Sequence, residues 1–324
     1  MRIAMVNDCA YVGETILKYL PENIEKTRIK RSRGLWSKTL GIAYKIWRAK
    51  ADVYHVHYLL QDCYLASFLG KKPLIGHAHG SDLTATLSRF SLGRIVRSNL
   101  KKCDKILVST PNLVEIVRRF REDVEYLPAP VDMNLFYPKP QRTRKDVLRV
   151  LIASGADWSV KDTDVALQAI ASLKDKVEAS IIQYGKDLEK TLRLAKSLNV
   201  ALKLLPRVEH QNMNNYYWST DLVLDQFKAG TFGLVTLEAI ACGRPAITFV
   251  SSKYEAYKDF PLKDINDEEK IVKAFQTDRG TLWKAEHAYL TKNHDPKKIA
   301  SRALKIYEDL VETKKSQQNS YIYI

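Results

Sequence analysis

The chain has 324 residues, a net charge of +15 and an apolar fraction of 45%. That is more than one ordinary domain, with enough apolar residues for two cores, and it excludes a wholly disordered protein. Cys9, Cys63, Cys103 and Cys242 are scattered, which argues against a disulfide framework or zinc finger, and no apolar run approaches the roughly 20 residues of a membrane-spanning helix. The N-terminus is too short and polar for a signal peptide, so a cytoplasmic location is expected, peripheral at most on the inner face of the membrane.

"MRIAMVND" reads as a first strand, leading through the loop "CAYVGE" into an amphipathic helix. "ADVYHVHY", "KPLIGHAHG" and "DKILVST" are three further strands with helical segments between them. Such alternation predicts a parallel, doubly wound sheet. "YLPAPVDMNLFYPKPQRTRKD" breaks the pattern with four prolines and a charged run, and reads as a domain linker. The alternation restarts with strand "LRVLIASG", helix "DTDVALQAIASLK", strand "VEASIIQYG", helix "DLEKTLRLAKSL", strand "VALKLLP", helix "NMNNYYWS" and strand "DLVLDQF". In "AGTFGLVTLEAIACGRPAI", Thr231 is placed to cap a helix, Gly243 suits its left-handed end, and Pro245 forbids continuation. From about Trp283 the chain is helical, ending in "KKSQQNSYIYI", read as a loose tail. The predicted domains are 1–140 and 141–290, with 291–324 forming a helix that returns to the first domain, plus the tail. Neither domain carries G-x-G-x-x-G after its first strand, which argues against a nicotinamide or flavin cofactor.

Charge is uneven. Ten Lys or Arg face two Glu between Lys18 and Lys50, and nine face one Asp and one Glu between Arg89 and Arg121. The asymmetry points to an anionic partner (membrane lipid, nucleic acid or a phosphorylated substrate) or to a solvated basic face. "RFSLGRIVRSNLKKCDK" interleaves Phe90, Leu92, Ile95, Val96 and Leu100 with cations, the pattern of a helix lying on an anionic bilayer or of an ordinary helix packed on its sheet. No nucleic-acid module accompanies the charge, so nucleic acid is not an expected partner.

Ligands of doubly wound sheets bind beyond the carboxyl ends of the strands. That rule selects Asp8 to Gly13, His57, His79 to Asp82 and Ser109 in the first domain. In the second it selects Ser154 to Lys161, Gly185, Arg207, Asp225 and the Thr231–Leu234 turn. A glycine loop feeding a helix is an anion cradle or an ordinary turn, and Lys161 adds a cation on the same rim. Glu238, a carboxylate in a mostly apolar helix, demands partners if buried. "DTD" at Asp162–Asp164 reads as helix-start chemistry rather than a metal motif.

"VLIASGADWSVKDTDVALQAIASL", "IIQYGKD", the stretch from "VALKLLPRVEH" through "GTFGLVTLEAIACGRPAITF", and "YLPAPVDMNLFYP" together resemble the family-4 retaining glycosyltransferases of the GT-B fold over nearly the whole chain. The resemblance implies an α/β protein of two Rossmann-like, doubly wound domains facing a central cleft. It implies a UDP- or GDP-sugar donor, a glycan or lipid-linked acceptor, and no cofactor or bound metal. Glu238 would bind the ribose hydroxyls, and the amides around Gly233 and Leu234 the phosphates, with Gly155, Lys161, Arg207, Thr231, Phe232 and Val235 completing the donor site. "GHAHGSD" matches the family's His-Gly-x-Asp element, placing His79 beside the reacting sugar with Asp82 nearby and His77 competing for the role. Gly13 matches one glycine of the acceptor and diphosphate loop, and His57 is a further candidate there. Two departures stand out: Gly230 replaces the first carboxylate of the Glu-x7-Glu pattern, and Ala156 replaces an arginine. Asp225 is the candidate substitute for the missing carboxylate. A non-catalytic nucleotide-sugar-binding homologue and a GT-B epimerase or hydrolase are the alternatives.

Overall fold

The computed structural model describes residues 1–31, 40–140, 147–173 and 176–320, with 318–320 described by backbone alone. Arg33 and Lys38 of the first basic run and 141–146 of the linker lie outside the described residues. Two compact units emerge: Met1–Pro130 together with the chain from His294 onward, and Val131–Asn293. The sequence reading drew its boundaries at 140/141 and 290/291. The first difference has a physical reason, because Val131 and Phe136 are buried in the second unit's core.

The first unit carries six parallel strands: β1 (Arg2–Val6), β2 (Glu25–Ile29), β3 (Val53–His57), β4 (Leu74–Ala78), β5 (Lys105–Val108) and β6 (Val124–Tyr126). Their order is β2-β1-β3-β4-β5-β6. β3 and β4 are buried at every position, as expected of a sheet covered on both faces. β2 and β6 escape a sequence reading because both are edge strands. "EKTRI" has only Ile29 fully buried, so no apolar alternation announces it. Alternation of side chains across β1, β3 and β4 sends Val6, Val56 and Ala78 into an apolar core. Met5, His55, His57 and His77 fall on the opposite face, where the Val12–Tyr19 and Pro296–Ser320 helices pack on one another. The last helix buries Ile299, Ala300, Ala303 and Tyr307 and continues through Ser320, so most of the expected loose tail is helical.

The Phe90–Lys102 helix buries Val96 and Leu100 and half-buries Leu92 and Ile95, so its apolar stripe faces the protein. Phe90 alone projects, with the Arg94 guanidinium 4.2 Å from its ring centre.

In the second unit β7 (Leu148–Ile152), β8 (Val177–Ile182), β9 (Leu202–Leu205), β10 (Leu222–Leu224) and β11 (Ala246–Ile247) pair in parallel in the order β11-β10-β7-β8-β9. Leu151 and Val223 feed one core while Val150, Ile152, Leu222 and Leu224 feed another, one on each face. Strand order reverses between β1 and β3 in the first unit and between β7 and β10 in the second. The carboxyl ends of those pairs are where this topology opens a crevice.

Candidate functional site

In the second unit the chain leaves β10 at Asp225, which is almost fully buried. Its Oδ2 accepts hydrogen bonds from the Gly233 amide (3.1 Å) and the Thr236 hydroxyl (2.7 Å). A Cβ on residue 233 would stand 2.2 Å from that oxygen, which is why a glycine is required there. Asp225 Oδ1 has no hydrogen-bond partner among the described residues and lies 3.8 Å from Lys161 Nζ. Lys161 also donates to Gln226 Oε1, and Gln226 donates to the Thr231 carbonyl. Asp225 thus ties the strand end to the helix and to Lys161, and is committed to the chain rather than presented outward.

The helix begins at Leu234, with Gly233 at the cap position and no side-chain cap. The expectation that Thr231 caps it is corrected: two residues before the cap position, Thr231 contributes its carbonyl instead. Phe232 is buried against Tyr257, Phe260 and Tyr289, ring centres 4.7–5.6 Å away, and anchors the loop. Gly233, Leu234 and Val235 stay partly accessible, so the positive end of the helix opens outward at this turn.

Glu238 is 5% exposed, four residues into the helix. Its carboxylate is not orphaned: Oε1 shares a 2.6 Å contact with His210 Nε2, and Oε2 accepts from the Tyr217 hydroxyl at 2.8 Å. A carboxylate oxygen has two lone pairs, so each keeps one for a further donor. Sequence reasoning missed His210 and Tyr217. The signal available was "EHQNMNNYYW", which places both on the helical segment preceding β10.

Gly155, past β7, packs so closely on Tyr184 that a Cβ would meet its ring at 2.6 Å. The Arg207 guanidinium, past β9, lies 5.7 Å from the same ring centre. Tyr184, two residues past β8, therefore joins these predicted donor residues although the sequence reading did not select it. Burial raises its hydroxyl pKa, with Asp225 the next contributor. The departures from the family pattern are built into the backbone. Ala156 is fully buried, its amide donating to the Tyr184 carbonyl and its carbonyl accepting from the Asp187 amide. Gly230 sits at φ +66°, with Ser251 Cβ 3.2 Å from the position of a Cβ. Gly230→Glu, which restores the family carboxylate, is expected to cost about 1–2 kcal/mol by forcing a side chain into left-handed backbone. A urea midpoint equal to wild type would refute this.

In the first unit the loops at the switch point are strained. Asn7, Ala10 and Tyr11 after β1 and Tyr58 after β3 all have φ between 45 and 66°. Such residues cost of order 1 kcal/mol each and cluster at functional sites. Asp8 caps the Val12–Tyr19 helix, accepting from the Gly13 amide (2.8 Å) and the Glu14 amide (3.1 Å). The Gly13 amide is therefore already engaged. Gly13 is needed because a Cβ would stand 2.6 Å from His57 Nε2. His57 is fully buried, sharing a 2.7 Å hydrogen bond with His79 Nε2 through Nδ1, with Met5 Sδ 3.1 Å from Nε2. It supports His79 rather than lining an opening. Asp82 is likewise buried and holds the turn, accepting from the amides of Leu59, His79 and Gly80 at 3.0–3.2 Å. Asp82 is a positioning group for His79, which alone of the four histidines is partly accessible. Burial, then His55, lowers the His79 pKa to about 3 and keeps its ring neutral. Cys9 shares a 2.8 Å hydrogen bond with the Tyr58 hydroxyl, and burial pushes its thiol up to about 12, so no thiolate is on offer.

Among the described residues one set has the composition of a metal site: ring nitrogens of His55, His57 and His77, all within 4.8 Å of one another. His55 Nε2 and His77 Nδ1 share a 3.1 Å hydrogen bond, His55 Nδ1 meets the Tyr307 hydroxyl at 2.7 Å, and only His77 Nε2 lacks a partner. Internal hydrogen bonds thus satisfy a neutral stack.

The chain resembles known proteins along most of its length. The Bacillus anthracis N-acetyl-alpha-D-glucosaminyl L-malate synthase is 26% identical over 217 residues, 62% of this chain and 57% of that relative. The Xylanimonas cellulosilytica D-inositol 3-phosphate glycosyltransferase is 26% identical over 247 residues, 66% of this chain and 58% of the relative. The chain thus spans under two thirds of the length of these relatives. Among solved structures, the sucrose-phosphate synthase of Thermosynechococcus elongatus superposes with a TM-score of 0.72 at 17% identity, covering 97% of this chain and all of the other. Anabaena HepE, in complex with UDP and glucose, gives 0.72 at 15%, covering 96% and 100%. The fold is the GT-B kind, two parallel-sheet α/β units. The model of the glycosyl transferases group 1 matches residues 148–309, half of the chain and the unit that holds Lys161, Asp225 and Glu238, and the protein belongs to that family.

Proposed function

We propose that the protein is a retaining glycosyltransferase that moves a sugar from a UDP- or GDP-sugar to a lipid-linked or cell-envelope glycan. The observation that carries the reading is the carboxyl edge of the second sheet at its switch point. There, close-packed Gly155 and Gly233, the open first turn at Leu234 and Val235, and the cation of Lys161 surround the strand ends. This is the chemistry a diphosphate requires: backbone amides, a helix N-terminus and a compact cation. Lys161 and the amides stabilise charge developing on the leaving phosphate, Arg207 adds a cation, and no bound metal is invoked. Glu238 accepts from the ribose hydroxyls with its remaining lone pairs. His79, neutral and held by His57 and Asp82, is the first unit's candidate to hydrogen-bond the reacting sugar or the departing phosphate. With Asp225 committed internally, retention proceeds by front-face attack, the departing phosphate oxygen accepting the acceptor proton.

HepE, a structural neighbour solved in complex with UDP and glucose, supports a nucleotide-sugar donor, and the D-inositol 3-phosphate glycosyltransferase supports sugar transfer. Gly230 and Ala156 favour a second reading, a homologue that binds nucleotide without turning it over. Calorimetry with UDP, GDP and ADP is the test. One nucleotide is expected to bind in the micromolar range, and binding by none would overturn the proposal. Binding without turnover of any nucleotide sugar would establish the second reading.

A further inference from the structure

A groove of about 620 Å³ opens along the first unit between β2 and the Ile42–Arg48 helix. Among the described residues, Arg28, Lys30, Arg31, Lys45 and Arg48 line it, with Tyr44, and no acidic side chain does. Behind the lining, Asp62 takes Arg31 at 2.6–3.1 Å, and Asp8 and Glu14 take Arg28 at 2.8 and 2.5 Å. These pairs fix both guanidiniums from the rear, while five cations against three carboxylates leave an excess of two positive charges in a concave wall. Converging like charges repel, and a dianion is the ligand that relieves them. Arg28 and Arg31 spend their forks on these carboxylates, so Lys30, Lys45 and Arg48 are the cations of the lining that suit the oxygens of a phosphate. Arg28 also links the groove wall to the switch-point loop, donating to Asp8, the residue that caps the helix at Gly13 and Glu14.

We propose that this groove binds a phosphate-class dianion carried by the acceptor, so that the acceptor is a phosphate-bearing molecule. The inference rests on the glycosyltransferase reading for the word acceptor, and on the groove alone for the anion.

The test uses the full chain, Lys45→Glu/Arg48→Glu, and the charge-matched control Arg193→Glu/Lys196→Glu on a helix of the second unit. Each is titrated with inorganic phosphate, with the preferred nucleotide, and with vesicles of phosphatidylcholine containing or lacking phosphatidic acid. Wild type and control are expected to bind phosphate saturably, and the groove variant at least about tenfold more weakly, with nucleotide affinity unchanged in all three. Groove-dependent binding to phosphatidic acid vesicles, competed by phosphate, would assign the group to a lipid headgroup. Phosphate binding without vesicle binding would assign it to a soluble acceptor. No saturable phosphate binding, or equal loss in groove variant and control, would overturn the inference. The nucleotide titration, read separately, would leave the donor-site proposal standing.

Discussion

Glu238→Ala is expected to weaken nucleotide binding by at least about 100-fold. Two hydroxyls donating to a carboxylate in a largely buried setting are worth about 1.5–3 kcal/mol each, and 100-fold corresponds to about 2.7 kcal/mol. The same substitution strands His210 and Tyr217, which now share that carboxylate, so it also costs about 2–3 kcal/mol of stability. Tyr217→Phe separates the effects: it removes a partner of Glu238 within the chain while leaving the carboxylate in place. Calorimetry and urea melts on both variants are the measurements. If Glu238→Ala bound nucleotide as wild type does, the carboxylate would be an anchor for His210 and Tyr217 alone. Its assignment to the ribose would then fall.

Acid is expected to unfold the first unit before the second. Burial lowers the pKa of His55, His57 and His77 well below 6.5, and that of His294 to about 4. All four belong to the first unit. In the unfolded chain they take up protons as pH falls through 6.5, whereas in the folded unit they stay neutral. Their contribution is therefore fully present above pH 6.5 and is lost as pH falls toward the folded values. Each differential proton changes stability by about 1.4 kcal/mol per pH unit, so the four together give roughly 5 kcal/mol per pH unit below about pH 6. That is comparable to the whole stability of many domains. His79, lowered to about 3, acts in the same direction, whereas Asp82, raised by burial, opposes the trend.

The second unit contains Glu286, fully buried, whose pKa is raised by burial despite a hydrogen bond from the Ala246 amide. A raised carboxyl has the opposite sign, stabilising at low pH and losing that stabilisation as pH rises through its folded value. Hydrogen exchange at pH 5 should show β3 and β4 open while β7 and β10 remain protected. His77→Gln should flatten the first unit's dependence by about 1.4 kcal/mol per pH unit. Equal protection of both sheets at pH 5 would show that the histidines are reached by water and charge in place.

What the sequence made legible was what its local patterns encode. Buried strands such as "VYHVH" and the helix bounded by Gly243 announce themselves through composition and turn chemistry, and Glu238 stood out as a carboxylate in an apolar helix. Partners contributed from distant segments did not. His210 and Tyr217 reach Glu238 from another helix, and Tyr184 reaches Gly155 and Arg207 only because three strand ends converge. Asp82 and His57 were selected for position, yet their bonds turn inward, and no spacing rule distinguishes a histidine facing a ligand from one facing its neighbour. β2 stayed hidden because an edge strand bears charge where a central one bears valine.

Tyr307 packs on His55 from a helix encoded after the whole of the second unit. During synthesis, at about 5–20 residues per second, the first unit therefore waits roughly 10–30 s with its histidine face uncovered while the second is made. The unit translated first is the last able to close its core. Any nascent chain released before Pro296 leaves the ribosome with that face open, a ready substrate for chaperone or protease.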